Sequence, residues 1–138
     1  MGVRMRKTLP EDIEQIIDSG DVEAVARAVK NCQVGAYLRA DAYKPQLMHF
    51  PASQEITEFF LQRGEDINSL DRYRRTPIHW RVRAGHTEQV PLLISRGGDI
   101  NARDYTDRTA LFEAVWRLAS TDIEQLIKLG ADVHAQAN

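Results

Sequence analysis

Gly-x-Asp followed by Ile or Val occurs three times, at Gly64, Gly97 and Gly130, at intervals of 33 residues. On that period Gly64-Glu65-Asp66-Ile67-Asn68, Gly97-Gly98-Asp99-Ile100-Asn101 and Gly130-Ala131-Asp132-Val133-His134 fall in register, as do Thr76 with Thr109 and Asp71 with Asp104. A fixed period of this size constrains the fold strongly. Each unit is too short to bury its own apolar face, so units must stack on one another as a solenoid. A stack of this kind works by presenting a surface.

The chain of 138 residues suits one domain and can bury roughly two-thirds of its unfolded surface. Charged residues make up 28% with a formal net charge of −2, which argues against a polybasic binder and against disorder. Cys32 is the sole cysteine, so there is no internal disulfide, and the four scattered histidines offer no zinc-ligand spacing. We expect no metal and no cofactor. No apolar run approaches the roughly 18 residues that span a bilayer. Arg4, Arg6 and Lys7 make the start basic, but Pro10-Glu11-Asp12 stands where a signal peptide needs its apolar stretch. The expectation is a soluble cytoplasmic protein that does not enter a membrane.

Thr8-Leu9-Pro10-Glu11 reads as a helix start, with Thr8 as cap and Glu11 completing a capping box ahead of Ile13, Ile16 and Ile17. Ser19-Gly20 breaks that helix, and Asp21 caps a second with the stripe Val22, Val25, Ala26 and Val29. Asn31 to Lys44 has no clear period and reads as a loop of extended backbone. A short helix opens at Leu47-Met48-His49-Phe50, is cut by Pro51, and is followed by a second helix carrying Ile56, Phe59, Phe60 and Leu61 up to Gly64. That first helix is about three residues shorter than its later counterpart, because His49 to Gly64 spans 15 positions and His79 to Gly97 spans 18. Thr76-Pro77-Ile78-His79 supplies a capping threonine and a proline in the first turn, and Gly85-His86 turns the chain into a helix with Val90, Leu92, Leu93 and Ile94. Pro91 demands a late helix start or a kink there. The last unit repeats the plan from Thr109 to Leu118, then from Thr121-Asp122-Ile123-Glu124 as a capping box to Gly130.

Thr76-Pro77-Ile78-His79, Gly85-His86, Leu92-Leu93-Ile94 and Gly97-Gly98-Asp99-Ile100-Asn101-Ala102-Arg103-Asp104 resemble nearly the whole ankyrin repeat unit. Thr109-Ala110-Leu111 with Gly130-Ala131-Asp132-Val133 resembles a second unit, and Leu47-Met48-His49 with Gly64-Glu65-Asp66-Ile67-Asn68 a third. Gly20-Asp21-Val22-Glu23-Ala24-Val25 resembles the second helix of a degenerate first one. The resemblance implies an all-α solenoid of stacked antiparallel helix pairs with projecting hairpin-like loops. Its units would be a degenerate cap at 8–40, then 41–72, 73–105 and 106–138. It gives His79 a structural role beside Thr76 and implies protein binding through the loop tips and the concave face of the first helices. Phe50, Trp80 and Glu113 would share one outward slot. Two departures stand out. Arg81 occupies a slot the family gives to alanine, which Ala114 keeps, so the helix should be displaced or Arg81 should snorkel outward. The glycine two residues before the threonine is replaced by Arg74 and Asp107, so the loops should be irregular.

No Gly-rich phosphate loop, Ser/His/Asp order or His-Glu-x-x-His motif occurs, and Cys32 has no histidine near it in sequence. An enzyme hidden in the 31–44 loop is the distant alternative to a binding module. Charge is distributed unevenly: Glu11, Asp12, Glu14, Asp18, Asp21 and Glu23 crowd the first hairpin, whereas Arg72, Arg74, Arg75, Arg81 and Arg83 fall together with no acid between Arg72 and Thr87. Tyr73 and Trp80 lie among them, and Tyr105, Arg108, Trp116 and Arg117 recur one unit on. These are the residue types that dominate interface hot spots. With Phe50 and Glu113 they form the expected contact set for one protein partner bearing an acidic surface, since Arg–carboxylate pairs give specificity and steering. Nucleic acid fits less well, because lysine is scarce in the patch and the chain is acidic overall. The expected protein is non-enzymatic and monomeric when free. The resemblance in size and style to short bacterial ankyrin proteins suggests an inhibitor or immunity protein that neutralises a toxin or effector, with a regulatory adaptor as the alternative.

Overall fold

The computed structural model describes residues 4–134; the ends of the basic start and of the last unit, 1–3 and 135–138, lie outside the described residues. The order is β1 (Arg6–Thr8), α1 (Ile13–Asp18), α2 (Val22–Val29), β2 (Cys32–Tyr37), α3 (Gln54–Gln62), α4 (Pro77–Arg83), α5 (Val90–Ser95), α6 (Ala110–Trp116) and α7 (Ser120–Lys128). Single 3₁₀ turns at Leu47–His49 and Thr87–Gln89 precede α3 and α5. The stack is helical, as the periodicity predicts. Among the described residues no helix is long and apolar enough to cross a membrane.

The first unit departs from the helix-only expectation. β1 and β2 pair in parallel, with Arg6 opposite Cys32 and Thr8 opposite Tyr37, and the α1–α2 hairpin forms the crossover. Leu9 N–H donates to the Tyr37 carbonyl at 2.8 Å, which holds this segment in the ladder and keeps Thr8 from capping α1. Helix α1 therefore starts at Ile13, behind Asp12, with no side-chain cap. Asp21 does cap α2, accepting from the Glu23 and Ala24 amides at 3.0 and 3.2 Å. The 31–44 segment is extended as expected, but as a strand followed by a turn.

Ile13, Ile17, Val25 and Val29 from the first hairpin join Leu47, Met48, Ile56 and Phe60 and then Ile78, Val82, Val90 and Leu93 in one continuous core. Pro91 is accommodated by the late start: α5 begins at Val90, so the proline lies in the first turn, where no N–H is needed. In the last unit Leu118 takes a left-handed φ of 55° and α7 starts directly at Ser120. Thr121 thereby becomes helical, and the Thr121–Glu124 capping box is not formed.

Arg81 does neither of the two things its sequence context suggests. It is fully buried, and α4 stays in the stack. Pro51 stops the preceding helix after one 3₁₀ turn, leaving the Met48 and His49 carbonyls without helical partners. Arg81 Nη1 donates to both, at 2.6 and 2.8 Å, and its Nε donates to Gln89 Oε1 at 3.0 Å. The arginine thus fills the volume of the missing turn and caps its open end. Burial lowers its pKa to about 9, so it remains charged at neutral pH.

The loops are regular despite their lost glycines. Asp41, Asp71 and Asp104 each accept an N–H from the residue two on, Tyr43, Tyr73 and Thr106, at 2.8 to 2.9 Å. The residue after that, Lys44, Arg74 or Asp107, takes a left-handed φ of 51°, 61° and 61°. The turn demanded by a glycine survives in all three fingers, held by the aspartate instead.

Candidate protein-binding face

The fingers are tied to one another by backbone. Arg72 N–H donates to the Tyr43 carbonyl at 2.8 Å, and Tyr105 N–H to the Tyr73 carbonyl at 3.0 Å. This brings Tyr43, Tyr73 and Tyr105 into a ladder, with ring centroids 5.2 and 5.0 Å apart. A second tie runs from the helices. Gln46 and Thr76 donate their N–H groups to Nδ1 of His49 and His79, which places the ring protons on Nε2, facing the Arg75 and Arg108 carbonyls at 2.9 Å each. Each histidine therefore clamps the next finger, and His79 has the structural role beside Thr76 that the sequence implies. Burial lowers the pKa of both, that of His49 to about 4.

Arginines pack on this aromatic ladder. The Arg75 guanidinium carbon lies 4.5 Å from the Tyr43 ring centre and 5.6 Å from that of Tyr73, and Arg83 approaches Tyr43 from 5.1 Å. The hydrogen bond from Arg83, with the nearby charge of Arg75, pulls the Tyr43 phenol below its ordinary pKa. Trp80 is half-buried, donating Nε1–H to Asp71 Oδ2 at 2.9 Å, with Tyr43 and Phe50 each 6.2 Å away. In the last unit Arg108 sits 4.6 Å over Phe112, which stacks on Trp116. Arg117 reaches back to the Val82 carbonyl.

Of the residues read from sequence, Arg72, Arg74, Arg83, Tyr105, Arg108, Trp116 and Arg117 are exposed, and Tyr73, Arg75, Trp80 and Glu113 are half-buried. Phe50 and Arg81 are corrected: at 2% and 0% exposure both belong to the interior and offer a partner no surface. Phe50 does not share the outward slot of Trp80, because the helix that would turn it outward ends at His49. Tyr43 and Phe112 join the set. Tyr43 had a signal: Asp41-Ala42-Tyr43-Lys44 and His49 repeat Asp71-Arg72-Tyr73-Arg74 and His79 at a spacing of 30, hidden by the 33-residue period.

The ion pairs described are Arg63–Glu65, His86–Glu88 and Arg96–Glu58, and none includes Arg72, Arg74, Arg75, Arg83 or Arg108. Asp71 and Asp104 lie close by, but they are buried and hold the turn amides.

Helix pairs stacked behind linked fingers define a repeat solenoid that recognises other macromolecules by its surface. The ankyrin repeat profile, in three copies, matches residues 47–137, and the chain belongs to that family. It is 46% identical over 39 residues to an ankyrin repeat protein of Fowlpox virus (strain NVSL). That match covers 28% of this chain and 6% of the viral protein. Ankyrin repeats make this a protein–protein interaction module.

Proposed function

We propose that the chain is a non-enzymatic binding protein that holds one acidic protein partner on its concave basic and aromatic face, acting as a small inhibitor or immunity-type protein toward a toxin or effector. One observation carries this reading. Five finger and helix arginines, Arg72, Arg74, Arg75, Arg83 and Arg108, stand beside Tyr43, Tyr73, Tyr105 and Trp80, and none of the five is in an ion pair with a described residue. Such a surface gains from an acidic partner both a steered approach and charge-assisted hydrogen bonds.

The test is affinity capture from the source cells, with an Arg72→Gln/Arg74→Gln/Tyr105→Ala variant as control. All three positions are exposed except for their turn backbones, so helical content should be unchanged. The expected result is a specific partner lost from the variant. A partner retained by the variant at full strength would remove this face from consideration. Neutralisation is read separately, as rescue of the captured partner's toxicity by the wild-type chain and its failure with the variant.

A further inference from the structure

Tyr43 sits at the centre of an unusual arrangement of charge. Arg83 Nη2 donates to its hydroxyl at 3.4 Å, and Arg75 and Arg83 both pack against its ring, at 4.5 and 5.1 Å. Nε and Nη1 of Arg75 are buried and have no hydrogen-bond partner. Neither arginine is in an ion pair among the described residues. The acid built into this finger, Asp71, is taken up by the Tyr73 and Arg75 amides at 2.9 and 2.8 Å and by the Trp80 indole at 2.9 Å. A neutral phenol thus occupies the place of a counter-anion for the half-buried Arg75 and the exposed Arg83, which leaves the site short of negative charge.

We propose that this site anchors the partner through an acidic peptide segment, a short run of Asp or Glu, with one carboxylate seated between Arg75 and Arg83 at the Tyr43 hydroxyl. The inference rests on the protein-binding reading above and names the chemistry of its anchor. Carboxylate oxygens are the natural bidentate acceptors for guanidinium forks, and an incoming one would replace the phenol oxygen that Arg83 now uses as its acceptor. A run of acids is favoured over one doubly charged group because the remaining cations, Arg72, Arg74 and Arg108, are exposed along two neighbouring fingers. A row of carboxylates meets a row of arginines. Nucleic acid is disfavoured at this spot because a base needs an open ring face, and Tyr43 is already covered by Arg75 and Arg83.

The probe is fluorescein-labelled hexaglutamate, titrated with the full chain by fluorescence anisotropy at low salt and again at about 0.15 M, where surface charges more than about 8 Å apart are largely screened. Hexaserine, hexaphosphoserine and hexathymidylate are the competing arms. Arg83→Gln should weaken hexaglutamate about tenfold, one charge-assisted contact. Arg27→Gln, which removes the same charge from the exposed side of α2, should change it less than about twofold. Tyr43→Phe removes the stand-in acceptor and should leave binding at least as tight. Arg75→Gln is read only after circular dichroism shows native helicity. Equal loss in the Arg83 and Arg27 variants, no binding of hexaglutamate, or stronger binding of any of the three competitor arms overturns the proposal. A captured protein partner that needs Tyr105 and Arg72 but ignores Arg83→Gln also overturns it, while leaving the protein-binding reading in place.

Discussion

Arg81 shows how one side chain can serve two structural needs. Pro51 deprives two carbonyls of their helical amides, and the shortened helix leaves a space that alanine would not fill. A guanidinium with its long stem supplies both volume and donors. Arg81→Ala should therefore cost about 3–5 kcal/mol in denaturant unfolding, because it opens a cavity and strands two buried acceptors. Arg81→Met should recover part of that, since it restores volume without donors; equal losses in the two variants would show that packing contributes nothing. The left-handed turn residues behave oppositely. Arg74 and Asp107 hold φ of 61° where an L side chain is strained by about 1 kcal/mol. Arg74→Gly should raise the unfolding free energy by up to about that amount, less the entropy glycine adds to the unfolded chain, read by urea denaturation. Both oddities were visible in the sequence as departures from a pattern. Their resolution was not, because it depends on a carbonyl 33 residues away for Arg81 and on an aspartate three residues earlier for Arg74.

At the scale of elements, helices were legible wherever a cap and an apolar stripe agreed, as at Thr76, where a proline follows, and at Asp21. They were misread where a long-range bond outweighed the local signal. Thr8 has the neighbours of a helix cap, yet its segment pairs with a strand 24 or more residues on, and β1 is too short to show an alternating pattern. The finger at Asp41 was missed because deletion of one helical turn changed its spacing from 33 to 30. The histidine clamps join these elements, and they carry a pH dependence. His49 has an ordinary pKa of 6.5 and titrates in the fold at about 4, so below pH 6.5 the unfolded chain takes up a proton that the folded one refuses. His79 is displaced in the same direction. Stability should be level above pH 7 and fall by up to about 1.4 kcal/mol per pH unit through His49 between pH 6.5 and 5, with His79 adding in the same direction. His49→Gln should flatten that slope by about one proton in urea titrations across the window; an unchanged slope would mean that His49 is protonated in the fold.

For the whole molecule the two ends of the stack differ, and nearest-neighbour energetics make that difference measurable. At the N-terminal end β1, β2 and the α1–α2 hairpin cover the core, with Val25 and Val29 fully buried. At the other end, side chains that are covered in the third unit lie open in the fourth: Val82 is 0% exposed and its counterpart Val115 49%, Ile100 is 9% exposed and Val133 54%. Among the described residues the fourth unit thus packs against one neighbour where inner units pack against two, and the stability of a solenoid unit is close to the sum of such terms. Its amides should open with a lower free energy than the rest. Hydrogen exchange should show α6 and α7 exchanging through a partial unfolding that leaves α3 to α5 protected. Val115→Thr should cost under about 0.5 kcal/mol, whereas Val82→Thr, the same change at the covered position, should cost about 1–3 kcal/mol by stranding a hydroxyl in the core. Uniform protection across α3 to α7, or equal costs for the two substitutions, would show that the fourth unit is held as firmly as the third.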